Sequence, residues 1–188
     1  MSDGDRVELD DADRDVVLSL AWLCDPTFPW EVAHVVTRSG GRWWATDGSS
    51  AVLVPATPGD DLTVTVAGDE VSRSDVIARD PAGFTGFTCG LRRWSAATVD
   101  RDDLVDAATS SASAGRAAVT TVLERCRRRA PGTANVVVPD IAPGRLAALA
   151  AHAPEGPLTV HHRGSDEPVI VNGAGGWRGV LASMRAAT

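Results

Sequence analysis

Apolar and polar positions fall into short periodic runs along the chain. From Asp10 or Asp11 onward, Val16, Val17, Leu20, Leu23 and Cys24 recur at three- and four-residue spacing, which predicts an amphipathic helix. Asp11, Asp13 and Asp15 crowd its first turn, where the helix dipole favours negative charge. Pro26 and Pro29 stop it. Ahead of the helix, Val7 and Leu9 form a brief alternating run. Behind it, three strands are predicted at Glu31–Thr37, Arg42–Thr46 and Ala51–Pro55, with turns at Ser39-Gly40-Gly41 and Asp47-Gly48-Ser49.

The end of the chain repeats this order in pattern, though not in residue identity. Ala134–Val138 is a β-branched run, and Pro143 opens a helix through His152 with Leu146, Leu149 and Ala150 as its apolar stripe. Strands follow at Pro157–His162, Pro168–Asn172 and Trp177–Ser183, with turns at Gly164–Glu167 and Gly173–Gly176. The expectation is an α+β fold, a single domain over 1–188 made of two βαβββ units, 5–56 and 134–186. A partly helical insertion, 57–133, lies between them. Within it, Asp61–Ala67 alternates through Leu62, Val64 and Val66 and would extend the first sheet. Phe84–Trp94 reads as loop or irregular hairpin. Asp100–Ala108 and Gly115–Ala130 read as helices, the second ending in Arg125, Arg127, Arg128 and Arg129 before Pro131-Gly132.

Charge changes this picture only when it is located. The net charge is −7 and every basic residue is Arg, which excludes a protein whose whole surface binds nucleic acid but leaves a local basic face. Residues 1–30 hold eight acids and two Arg, so nearly all the acidity belongs to the first helix and its lead-in. Three cysteines, Cys24, Cys89 and Cys126, without C-x-x-C spacing signal neither a disulfide framework nor a zinc knuckle. The acidic start, without an apolar run, is the reverse of a secretory leader, and no apolar stretch is long enough to span a membrane. A cytoplasmic protein with no membrane partner is expected.

Candidate chemistry is sparse. Gly173-Ala174-Gly175-Gly176 lacks the Lys-Ser/Thr of a phosphate-binding loop and lies between strands, which makes it a turn. His161 and His162 are adjacent on a strand, point to opposite faces and cannot chelate one ion together; a metal would need His34 or a carboxylate from elsewhere. Cys89 lies near Arg92 and Arg93 but has no base or strained turn to activate it. No catalytic residue and no cofactor are expected. The run Arg125–Arg129 has two readings, a dipole-compensating helix end or a phosphate contact for duplex DNA. Trp43 and Trp44 are neighbours on a strand, so one ring should face the core. The other is either covered by the middle segment or marks a partner surface.

Two segments resemble the DNA sliding clamp family, the bacterial β-clamp in particular. Trp44-Ala45-Thr46-Asp47-Gly48-Ser49-Ser50-Ala51-Val52 is similar to the clamp motif Ala-Thr-Asp-Gly-His-Arg-Leu-Ala. Val136-Val137-Val138-Pro139, the helix with Leu146 and Leu149, Pro157-Leu158-Thr159-Val160 and the ending Val180-Leu181-Ala182-Ser183-Met184-Arg185 follow the order of a clamp's last half-domain. The resemblance implies a non-catalytic accessory of DNA replication or repair. Its groove, at Thr46, Gly48, Val180, Met184 and Arg185, would take a peptide from a DNA polymerase or repair protein. Ser49-Ser50-Ala51 in place of His-Arg-Leu, and Ala182-Ser183 in place of Met-Pro, make that groove shallower and less apolar. A clamp ring holds six such domains, so the resemblance also implies a homo-oligomer of about six copies, or pairing with another clamp. Duplex DNA would then meet Arg125, Arg127, Arg128 and Arg129. The alternative is an adaptor or inhibitor that keeps the fold without encircling DNA. More distant is a small enzyme using His34, Cys89 or His161.

Overall fold

Asp10 starts the first helix. Its carboxylate accepts the backbone N–H of Asp13 at 2.7 Å, satisfying one of the free donors at the N-terminus, and α1 runs Asp11–Leu20. The computed structural model describes residues 7–78, 94–109, 117–119, 121–122, 127–128, 143–162 and 168–182. Its contacts divide the chain into two units, Met1–Ala82 and Gly83–Thr188.

In the first unit, α1 buries Val17 and Leu20, and the 3-10 turn Ala21–Leu23 adds Leu23. The strands are β1 (Val36–Ser39), β2 (Arg42–Thr46), β3 (Ser50–Pro55), β4 (Leu62–Ala67) and β5 (Glu70–Arg73), all antiparallel in the order β5-β4-β1-β2-β3. Glycines at positive φ close two hairpins, Gly40 and Gly41 between β1 and β2 and Gly48 between β2 and β3. Trp43 and Trp44 are both buried, so the ring that alternation turns away from Trp43 is covered as well. The Trp44 indole N–H donates to Ser39 Oγ at 3.0 Å.

A buried ion pair fastens α1 to this sheet. Asp13 is 3% exposed; its carboxylate accepts from Arg38 Nη1 at 2.8 Å and from the Thr57 hydroxyl at 2.7 Å, and the Arg38 guanidinium lies 5.2 Å over the Trp43 ring. The Trp43 indole N–H is directed at the same carboxylate without reaching good hydrogen-bond geometry. Burial works to raise the Asp13 pKa, but the Thr57 and Trp43 donors and the Arg38 charge prevail and hold it below the ordinary value.

The second unit contains β6 (Ser95–Asp100), α2 (Arg101–Thr109), β7 (Arg127–Arg128), α3 (Pro143–Ala151), β8 (Pro157–His162), β9 (Val169–Asn172) and β10 (Arg178–Leu181). Its sheet order is β10-β9-β8-β6-β7, antiparallel throughout. Helices α2 and α3 pack on each other, burying Leu104, Leu146 and Leu149. Gly179 on β10 lies directly beneath α3, where an added Cβ would meet the Leu149 side chain at 2.6 Å.

Several sequence expectations shift. Residues 7–10 form no strand, so the described part of the first unit runs helix then five strands. Glu31–His34 is a 3-10 turn and β1 begins only at Val36, because Ala33 donates to the Trp30 carbonyl and accepts from the Asp25 N–H, which curls the segment. Within 57–133, β4 extends the first sheet as the alternation over Asp61–Ala67 predicts, and the segment also carries β5, β6 and β7, which the pattern did not separate. The helix expected over 115–130 is present at residues 117–119 and 121–122, but Arg127 and Arg128 lie in β7, paired with Ala97 and Ala96. Arg125, Arg129, the strand expected at Ala134–Val138 and Cys89 lie outside the described residues.

Candidate functional site

The β2–β3 turn is the most tightly specified local structure in the first unit. The Thr46 hydroxyl donates to the Ser50 carbonyl at 2.7 Å and accepts the Gly48 N–H at 3.0 Å. Asp47 Oδ1 accepts three donors, the Ser49 N–H, the Ser49 hydroxyl and the Ser50 N–H. Short polar side chains thus satisfy the backbone that a strand reversal would leave open. Gly48 sits at φ +82°, in the region an L side chain avoids.

A second reason for glycine at this position is what lies against it. A Cβ on Gly48 would come within 2.9 Å of the Phe28 ring and 3.3 Å of the Trp30 ring. Phe28 and Trp30 form a T-shaped pair with centroids 5.3 Å apart. Their loop is braced from below: the Phe28 N–H donates to the Asp25 carbonyl, and His34 Nε2–H donates to the Phe28 carbonyl at 2.6 Å. Asp25 accepts from the Thr27 hydroxyl and N–H, and these bonds lower its pKa. Held this way, Trp30 remains 58% exposed, beside the turn.

Thr46 and Gly48 thus occupy one surface, joined by two aromatic residues that the sequence pattern did not single out. Thr46 itself is buried, its hydroxyl spent on the turn, so it shapes this surface from beneath. Val180 lies on β10 of the second unit, buried and paired with Ile170. Met184 and Arg185 lie outside the described residues.

The histidines and cysteines follow simple local chemistry. His161 is half-buried and accepts the Asn172 amide at Nε2 (3.0 Å), while Arg178 Nε donates to Asn172 Oδ1 at 2.8 Å. Burial, with help from the Arg178 charge, lowers the His161 pKa. His162 is buried on the opposite face, as strand alternation requires. Burial pushes the Cys24 thiol up to about 11, the reverse of an activated nucleophile. Among the described residues no three His, Cys, Asp or Glu side chains converge as metal ligands, and no helix is long and apolar enough to cross a membrane.

The fold is sliding-clamp-like: mixed α and β, dominated by antiparallel sheet, with few helices among the described residues. Solved structures it matches include bacterial DNA polymerase III β subunits. The β chain from Streptococcus pneumoniae superposes with a TM-score of 0.64 at 10% identity over 99% of this chain and 66% of that one. The β subunit from Thermotoga maritima gives 0.58 at 13% identity, over 100% and 67%. The C. crescentus β sliding clamp gives 0.57 at 14% identity, over 99% and 68%. The chain thus spans about two thirds of the length of these clamps, and at such identities the likeness is one of fold. No protein-family model and no curated protein matches the sequence.

Proposed function

We propose that this chain is a non-catalytic, sliding-clamp-like accessory of DNA replication or repair that holds a peptide segment of a partner protein at the β2–β3 turn. The observation that carries this reading is Trp30, more than half exposed yet packed edge-to-face on Phe28 and close over Gly48, where a side chain would displace it. Exposed, rigidly held tryptophans are the usual energetic anchors of protein interfaces. The clamp-like fold supports a clamp-like role for the chain as a whole, and the assignment to this turn rests on Trp30.

The test is binding of the replicative DNA polymerase from the same cell to the natural chain and to Trp30→Ala. Loss of binding by the variant with an unchanged circular dichroism spectrum is expected. Equal binding by both would overturn the reading.

A second reading, an adaptor that keeps the fold without encircling DNA, is favoured by the helices. The exposed charges on α1, α2 and α3 are Asp11, Asp15, Asp102, Asp103 and Asp106 against Arg145 alone. Helices facing duplex phosphates need the opposite sign. The duplex contact would then fall to Arg125, Arg127, Arg128 and Arg129. Light scattering and a salt titration of duplex binding separate the two. A ring-sized mass with affinity lost on Arg127–Arg129→Ala supports encirclement, and a monomer without affinity at low salt supports the adaptor.

A further inference from the structure

The Trp30 surface has a charge of one sign. Its two contributing segments, residues 24–34 and 46–50, contain Asp25, Glu31 and Asp47 and no Arg or Lys. Glu31 follows Trp30 directly and is exposed, at the first turn of the 3-10 segment. Asp47 precedes the glycine against which both rings rest, and its Oδ1 already serves the turn. Asp25 carries the loop that presents Phe28, is exposed, and stays ionised further into acid than an ordinary aspartate. An exposed indole on segments whose Asp and Glu residues face no Arg or Lys of their own is an electron-rich platform in a negative field. Tryptophan is the best aromatic partner for a cation, and guanidinium groups stack on it.

From this combination we infer that the partner segment is cationic: a peptide with arginine next to an apolar anchor, its guanidinium over Trp30 and its charge matched by Glu31, Asp47 and Asp25. The inference rests on the reading of this turn as a partner surface and specifies its chemistry. An acidic or neutral segment would gain the same apolar contact but meet like charge or none. The negative field therefore selects against acidic competitors as well as for the cognate segment.

Fluorescence anisotropy with two labelled peptides tests this. One carries Leu and Phe anchors flanked by arginines; the other is identical except that aspartates replace the arginines. The arginine peptide should bind the full chain at least about tenfold more tightly, and added salt should erode the difference. Trp30→Ala should abolish arginine-peptide binding, and Glu31→Gln, at a side chain that makes no hydrogen bond among the described residues, should weaken it about two- to threefold. Equal or tighter binding of the aspartate peptide, lost in Trp30→Ala, would overturn the charge inference and leave the partner-surface reading standing. Arginine-peptide binding unaffected by Trp30→Ala would overturn the inference by placing that site elsewhere. Absence of binding by either peptide would overturn both.

Discussion

Replacing Asp13 with Asn tests the physical account of how α1 is held. The substitution keeps size and shape, and an amide oxygen in the place of Oδ2 still accepts the Thr57 hydroxyl, so the loss is that of one negative charge beside Arg38 and of the Oδ1 acceptor for the Thr57 N–H. Asp13 and Arg38 side chains are 4% and 16% exposed. Breaking a fully buried pair costs about 3–5 kcal/mol, and the partial exposure of Arg38 lets water recover some of that. A loss of about 2–4 kcal/mol is therefore expected, a large share of the total stability of about 5–15 kcal/mol usual for a domain. Urea unfolding followed by far-ultraviolet circular dichroism measures it. The pH dependence supplies a second check. The folded Asp13 pKa is depressed, so its stabilisation is complete above the unfolded value and is lost as pH falls through the folded one. The gap between the natural chain and Asp13→Asn should be constant from neutral pH down to the ordinary aspartate range and close below it. A loss under about 1 kcal/mol at neutral pH, or a gap that does not close in acid, would refute the argument.

Two further outcomes follow from local geometry. Gly179→Ala would drive a methyl into the Leu149 side chain beneath α3, and overpacking of this kind should cost about 1–3 kcal/mol in thermal or urea unfolding. In a Cys89→Ser/Cys126→Ser background, Cys24 should react with thiol reagents at pH 8 about a thousandfold more slowly than full ionisation would allow. Its raised pKa leaves about one thiolate in a thousand at that pH.

Much of the fold is visible in the sequence wherever a local signal and the tertiary packing agree. The α1 boundary follows from the Asp10 cap, and the β2–β3 hairpin follows from Thr46-Asp47-Gly48, whose side chains close the turn on themselves. Where the expectations shift, bonds to residues outside the segment's own pattern decided the outcome. Glu31–Thr37 reads as a strand, yet the bonds of Ala33 to Asp25 and Trp30 curl its first part. Arg127 and Arg128 look like a helix end, but pairing with β6 places them in a sheet. Strand β6 itself, Ser-Ala-Ala-Thr-Val-Asp, has few large apolar residues and is held by its register with β8. Asp13 reads as one of several acids favouring a helix start; only Arg38, twenty-five positions away, shows that it is buried and paired. The candidate surface was half legible. Gly48 and Thr46 carried a motif, whereas Phe28 and Trp30 belong to no periodic run. The available hint was two aromatics bracketing a proline, in a segment where neither could join an amphipathic face.

The triple acceptance by Asp47 Oδ1 has a kinetic consequence. A turn whose backbone donors are already satisfied has little conformational freedom left to lose, so an arriving segment meets a finished surface. Encounter then needs no loop closure, and association should run at or above the ordinary protein–peptide range of about 10⁵–10⁷ M⁻¹s⁻¹, faster at low salt if the arriving chain is positive. Affinity differences among competing segments would then appear almost entirely in how long each one stays. Partners on such a surface would exchange by dissociation rates, with the turn itself unchanged between occupants.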